Sequence, residues 1–448
     1  MSRLPIVVVC AGCGVEAPPE EPYPFRCPNA RPGDDIDHVM ATRMDPARLQ
    51  FPGGGEPNPF VRYRTLSYSY HLARSHGSSD AEYVALVERL DRAVAGVDGR
   101  GFVVTPFGPS EDLSRRLGFL GGGGVWIKDE TGNVSGSHKA RHLMGLLIHL
   151  EVVERIGLAP GRVNGPRPLA IASCGNAALA AAVVARAGGR PLEVFVPPWA
   201  DPPVLDRLQR LGARLTVCPR EEGRSGDPTY RRLQQAIAAG ALPFTCQGPE
   251  NGLTIEGGKT LGFEIVSVLA GSGGDLDRLI VQVGGGALAS SCVQALEDAV
   301  RLGALARLPR IHAVQTLGAH PLKRAYDLVA RRAAESGNTE EALRYAAAHR
   351  RAFMWPWEQE PKSIAHGILD DETYDWLAVV RGMLTTGGFP VVVSEEMLRR
   401  AHDLAHTAAG INVDPTGSAG LAGLLQLLDE GGVDSSERVA VLFTGVER

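Results

Sequence analysis

Apolar residues along this chain fall into two kinds of run. Between Tyr83 and Ala95 they return every three or four positions, the spacing of a helix with one buried face. From Val125 onward short continuous runs take over: Val125 to Lys128, Leu169 to Ala172, Leu192 to Val196, Arg214 to Val217 and Leu279 to Val283. Helix-like segments follow them. Short buried strands alternating with helices predict an α/β fold, a parallel sheet with helices on both faces. Ligands in such folds gather at the loops past the carboxyl ends of the strands. Residues 1–60, rich in Pro, Gly and acidic groups, predict an irregular extension, and the Ala-rich stretch 328–349 a helical insertion with a solvated charged face. No window approaches the roughly 20 apolar residues needed to cross a bilayer.

Composition narrows the picture. At 448 residues the chain predicts two or three domains, and a formal charge of −5 leaves no basic surface for nucleic acid or an anionic membrane. The cysteines, at 10, 13, 27, 174, 218, 246 and 292, are odd in number and widely spaced. That argues against a disulfide framework and for a reducing cytoplasm. Pro5 breaks the short apolar run at the start, which argues against a lipoprotein leader. Arginine replaces lysine almost everywhere, and the five lysines are 128, 139, 259, 323 and 362. Arginine cannot form a Schiff base at neutral pH because its guanidinium stays protonated, so those five are the candidates for amine chemistry.

Three loops of small residues sit where the pattern places ligand loops. The first runs from Lys128 to His142 and puts Lys139 at the head of an apolar helix, where a desolvated amine near a positive helix terminus suits attack on a carbonyl. A surface loop ending in a solvated lysine is the plainer alternative. The second, Ser173-Cys174-Gly175-Asn176, ends a strand and opens an Ala-rich helix, a place for a carboxylate or a ring oxygen. Ser and Asn are equally ordinary helix caps. The third, Gly284-Gly285-Gly286-Ala287-Leu288, can wrap amides around a phosphate or serve close packing alone. It has neither Walker A spacing nor the Gly-x-Gly-x-x-Gly of dinucleotide sites.

Taken in this order, the three loops resemble the fold type II pyridoxal 5′-phosphate (PLP) enzymes, the tryptophan synthase β-like superfamily, over roughly residues 100–448. That superfamily includes threonine synthase, serine/threonine dehydratase, diaminopropionate ammonia-lyase and cysteine synthase. The resemblance implies two doubly wound parallel-sheet domains with the cofactor in the cleft between them. The large domain would comprise 61–145 and 250–448, the small one 146–249, with 1–60 as the extension. It implies that Lys139 carries PLP as a Schiff base and acts as base at Cα, and that Asn176 bonds the ring oxygen. Ser173, Cys174, Gly175 and Asn176 would hold the substrate carboxylate, and Gly284, Gly285, Gly286, Ala287 and Leu288 the phosphate. Thr444 falls at the family's pyridine-nitrogen partner, where a neutral hydroxyl favours elimination over long-lived carbanions. Glu256 to Glu264 looks like the segment that re-enters the large domain, and Ser363 to Gly367 and Asp414 to Gly420 like later loops around the cofactor.

Two positions depart from the dehydratase pattern. His138 stands where Phe is usual and resembles the tryptophan synthase β subunit, in which a histidine lies near the phosphate. Cys174 replaces a hydroxyl residue. Cys10, Cys13 and Cys27 resemble the zinc ribbon that opens some threonine synthases, with His38 or Asp37 as a fourth ligand in place of a second Cys-x-x-Cys pair. The resemblance implies elimination, by a dehydratase or ammonia-lyase, on a small hydroxy- or amino-substituted amino acid through an aminoacrylate-type intermediate. A β- or γ-replacement synthase is the alternative, and a non-catalytic PLP-binding protein a distant third. A homodimer is implied as well.

Overall fold

The computed structural model describes residues 3–159, 165–220, 226–272 and 274–448. The chain divides into two compact units, one of Met1–Arg31, His38–Val104 and Asn133–Thr260, the other of Pro32–Asp37, Thr105–Gly132 and Leu261–Arg448. Each is a parallel α/β unit, the fold class expected. Among the described residues no helix is long and apolar enough to cross a membrane.

The first unit is built on a four-stranded parallel sheet, in the order Arg214–Val217, Leu192–Val196, Leu169–Ala172 and Leu242–Pro243. Helix Asn176–Ala187 is buried continuously from Ala178 to Ala185. Its alanines and valines let it lie close against helices Lys139–Arg155 and Asp80–Asp98. Ser79 and Glu82 close a capping box at the start of Asp80–Asp98, and Gly99 ends it at φ +85°. This packing groups residues 80–98 and 139–155 with the smaller sheet. The division therefore falls elsewhere than expected: 61–104 and 133–145 lie in the unit of the smaller sheet, and the second crossing comes at 260/261. The extension is also more regular than its composition predicts. Ile6–Cys10 and Met40–Met44 pair antiparallel, Ile6 opposite Met44 and Cys10 opposite Met40. Gly252 lies so close to this pair that a Cβ would collide with the Met40 carbonyl oxygen.

The second unit carries a six-stranded sheet in the order Pro390–Val393, Arg310–Thr316, Arg278–Gln282, Arg438–Phe443, Gly124–Asp129 and Phe107–Pro109. All neighbours are parallel except the short edge strand Phe107–Pro109. The central strands are buried on both faces, which is why their middles, Leu279 to Val281 and Val439 to Phe443, read as apolar runs. The stretch 328–349 falls in two helices, Pro321–Ser336 and Thr339–Ala348.

Each unit buries a neutral histidine. His149 lies between Ser69 Oγ, 3.0 Å from Nδ1, and the Pro22 carbonyl, 2.9 Å from Nε2, and burial holds its pKa at about 4. Burial, helped by the charge of Arg278, holds His312 at about 4 as well. The unfolded chain takes up these protons near pH 6.5 and the folded chain resists until about pH 4, so stability is complete above the first value and lost as pH falls toward the second. A fully buried group of this kind costs about 2 kcal/mol at pH 5. The urea midpoint is expected to fall between pH 7 and pH 5, and to fall less in His149→Gln, which keeps a polar side chain without a titrating ring.

Candidate active site

In the first unit the loop before Lys139 is held by its own polar groups. Asn133 accepts from the Val134 amide at 2.8 Å and donates to the Ser137 carbonyl at 3.3 Å. The Ser135 amide donates to Asp98 at 2.9 Å, and Ser135 sits in the left-handed region at φ +53°. The buried Ser137 hydroxyl has no partner among the described residues. His138 is buried, and its ring meets that of His142 edge-on at 5.9 Å; His142 Nδ1 lies 2.8 Å from the Thr254 carbonyl. Lys139 opens helix Lys139–Arg155 and is half-buried.

The lysines separate clearly by surroundings. Lys128 is fully buried against Glu264, and Lys259, also buried, donates to Thr42 Oγ1 at 3.2 Å. Lys323 pairs with Asp327, and Lys362 lies in solvent beside Glu360. The Lys139 ammonium makes no hydrogen bond or ion pair among the described residues. The companion loop follows strand Leu169–Ala172: Ser173 donates its amide to the Phe195 carbonyl, its Oγ accepts from the Gly175 amide at 3.4 Å, and helix Asn176–Ala187 begins without a side-chain cap. Ser173, Cys174, Gly175 and Asn176 are all half-buried.

In the second unit Gly284, Gly285 and Gly286 join strand Arg278–Gln282 to helix Ala287–Arg301. Among the described residues the amides of Gly284, Gly285, Gly286, Ala287 and Leu288 have no acceptor. Five successive free amides at a helix start form a nest for an anion. The glycines are required by close packing too. A Cβ would collide with the Asp370 carboxylate at Gly284, and would come within 2.9 Å of the Tyr374 ring at Gly285 and 2.9 Å of the Thr373 methyl at Gly286. Gly286 also has φ +96°. The buried Thr373 hydroxyl has no partner among the described residues. Thr444 follows strand Arg438–Phe443, the neighbour of Arg278–Gln282, and its Oγ1 accepts from Gln282 Nε2 at 2.8 Å.

Beside these loops the same unit holds a buried polar cluster. Lys128 donates to the Thr105 carbonyl at 2.8 Å and pairs with Glu264, with Glu130 3.8 Å away. Thr105 donates its amide to Glu264 at 3.1 Å and its hydroxyl to Glu130. The side chains of the lysine and both glutamates are fully buried.

The N-terminal cysteines converge. Cys13 Sγ and Cys27 Sγ are 3.6 Å apart, Cys10 Sγ and His38 Nδ1 3.4 Å, and the four ligand atoms lie within 4.8 Å of one another. Amides of Cys13 and Asn29 point at the sulfurs of Cys10 and Cys27, at 3.5 and 3.4 Å. His38 is therefore the fourth member. Asp37, the other candidate, instead pairs with Arg350 at 3.2 Å.

Two parallel α/β units with glycine and serine loops at the carboxyl ends of their strands, and a lysine without a partner among the described residues, are features expected of a fold type II PLP enzyme. Residues 100–445 match the family of pyridoxal-phosphate dependent enzymes, and the chain belongs to it. The chain is 25% identical over 341 residues to threonine synthase of Mycobacterium tuberculosis, covering 76% of this chain and 80% of that relative. Among solved structures it resembles a threonine deaminase from T.th. (22% identity, 82% of this chain and 98% of that one, TM-score 0.56). It also resembles diaminopropionate ammonia lyase of Escherichia coli (16% identity, 88% and 92%, TM-score 0.59). The residues fit the cofactor: a free amine, a nest of five amides, and two buried hydroxyls awaiting partners.

Sequence reasoning missed Gln282, Thr373 and the two acids that face Lys128, Glu130 and Glu264. Gln282 carries a readable signal, a polar residue that follows the apolar run Leu279 to Val281 inside a buried strand; Thr373 carries none. Since Glu264 neutralises a lysine out of reach of water, Glu264→Ala is expected to lower the unfolding free energy by about 3–5 kcal/mol. Adding Lys128→Met should recover part of that loss, which denaturant titration would measure.

Proposed function

We propose that this PLP-dependent enzyme is a lyase, a dehydratase or ammonia-lyase acting on a small hydroxy- or amino-substituted amino acid, with Lys139 as the residue that holds the cofactor. The observation that carries the assignment of Lys139 is its isolation: the other four lysines are paired, buried or in open solvent. When bound, PLP supplies an electron sink that acidifies the Cα–H bond of an attached amino acid.

The chain's own groups then divide the work. The amides of Gly284 to Leu288 hold the phosphate, with His138 and the hydroxyls of Ser137 and Thr373 as further polar contacts. Asn176 donates to the ring oxygen, and the Ser173–Gly175 turn receives the substrate carboxylate. Thr444, its oxygen already accepting from Gln282, offers the pyridine nitrogen a neutral partner. Lys139 Nζ would take the Cα proton of the substrate, and the hydroxyl or amino group on Cβ would take up a proton and leave as water or ammonia. The unsaturated amine released is hydrolysed to a keto acid and ammonia. A replacement synthase is the second reading, favoured by the likeness to threonine synthase.

The test offers the PLP-loaded protein serine, threonine, diaminopropionate, O-acetylserine and O-phosphohomoserine singly, assaying ammonia, keto acid and phosphate. Keto acid with one equivalent of ammonia from serine or threonine, or with two from diaminopropionate, supports the lyase. Threonine and phosphate from O-phosphohomoserine support the synthase, and turnover of none overturns both. Lys139→Ala should lose the borohydride-reducible covalent attachment of PLP while melting as the parent does; an adduct retained in that variant would sink the assignment.

We further propose that Cys10, Cys13, Cys27 and His38 hold a structural zinc ion. Tetrahedral zinc with bonds of about 2.3 Å to sulfur and about 2.0 Å to nitrogen separates its ligand atoms by roughly 3.5–3.8 Å, near the distances found. Purified protein should contain zinc, and Cys10→Ser should lose that equivalent and unfold at a lower temperature. Metal analysis finding none would dispose of the site.

A further inference from the structure

A second group of metal-ligand side chains lies far along the sequence from the cysteines, in the second unit. Helix Glu395–Thr407 carries His402 and His406 four positions apart, hence on one face. Their rings meet edge-on with centroids 4.6 Å apart. Glu447 faces both: its Oε2 is 3.5 Å from His402 Nε2 and 3.3 Å from His406 Nε2. His402 Nε2 is buried and has no hydrogen-bond partner among the described residues. All three side chains are partly accessible, so an ion can reach them.

We propose that His402, His406 and Glu447 form a binding site for a divalent transition metal, zinc above all. The donor set, two imidazole nitrogens and one carboxylate oxygen, is one such ions select over magnesium or calcium. A tetrahedral ion with bonds of about 2.0–2.1 Å separates neighbouring ligand atoms by about 3.3 Å. The two distances from Glu447 already approach that value, and the three ligand atoms all lie within 4.8 Å of one another. Three protein ligands leave the fourth position to water. His406 Nε2 also lies 3.1 Å from the Val413 carbonyl. Metal binding therefore moves the proton of that imidazole to Nδ1 and releases Val413, which makes this site weaker than one of thiolates.

The place of Glu447 gives the site a consequence. The segment that carries it leaves strand Arg438–Phe443 through Thr444 and is tied to residues 412–414: Asp414 donates its amide to the Gly445 carbonyl at 2.9 Å, and Val413 bridges Val446. A metal ion on the three ligands staples helix Glu395–Thr407 to the chain three residues beyond Thr444. It acts as a positioning element for that strand end, not as a participant in the chemistry.

The experiment uses PLP-loaded protein stripped of metal with a chelator and dialysed against micromolar zinc, with bound zinc and melting temperature read together. The parent should bind one equivalent that survives in Cys10→Ser and raises the melting temperature. His402→Gln and Glu447→Gln should each lose that equivalent and its thermal increment, while folding as the parent does without zinc. Binding in either variant equal to the parent's would overturn the proposal, as would a parent whose zinc is lost entirely in Cys10→Ser.

Discussion

One lysine and two glutamates share a space without water in the second unit, and much of that unit's order follows from keeping them paired. Lys128, Glu130 and Glu264 come from a strand, the residue after it and the helix Thr254–Ser272. Charges removed from solvent are tolerated only where geometry and added hydrogen bonds offset desolvation, and Thr105 supplies those bonds from a fourth position. Slipping the strand by one residue would turn Lys128 to the opposite face and leave Glu264 buried without its ammonium. The cluster therefore fixes the register of Gly124–Asp129. The Glu130 amide extends that register to the neighbouring strand by donating to the Phe443 carbonyl at 2.7 Å, one residue before Thr444. A hydroxyl proposed to meet the cofactor ring is thus positioned from a salt bridge that never touches it.

The three loops of small residues were legible in the sequence as loops because each follows a short apolar strand and opens a helix. That rule of placement holds for Lys139, Ser173–Asn176 and Gly284–Leu288. What the sequence hid was contact across distance. Gln282 reads as a buried anomaly, yet nothing local says that its amide reaches Thr444 on the adjacent strand. Thr373 belongs to a segment without periodicity and gains meaning only because it packs on Gly286. Composition likewise cannot show that helix Asp80–Asp98 lies against the alanine helix Asn176–Ala187. His38 and Asp37 were equivalent candidates on paper, and Arg350 separates them by claiming Asp37.

The glycine loop shows how one feature serves two demands. Among the described residues its amides have no acceptor, as an anion site requires, while its missing side chains make room for Asp370, Thr373 and Tyr374. Any residue larger than glycine would push that covering segment away. The Asp370 carboxylate stands where a Cβ on Gly284 would lie, so the loop that leaves its amides bare also makes room for an acidic side chain.

The scarcity of lysine has a consequence for the traffic of a reactive aldehyde. A free aldehyde condenses with whatever exposed amines it meets, and on most proteins these are many. Here the surface is solvated by guanidinium groups, two of the five amines are sealed inside, and Lys323 is engaged by Asp327. An aldehyde wandering over this protein finds Lys362 and little else to delay it. The same economy would make the chain slow to accumulate stray adducts, glycation or acylation at its side chains.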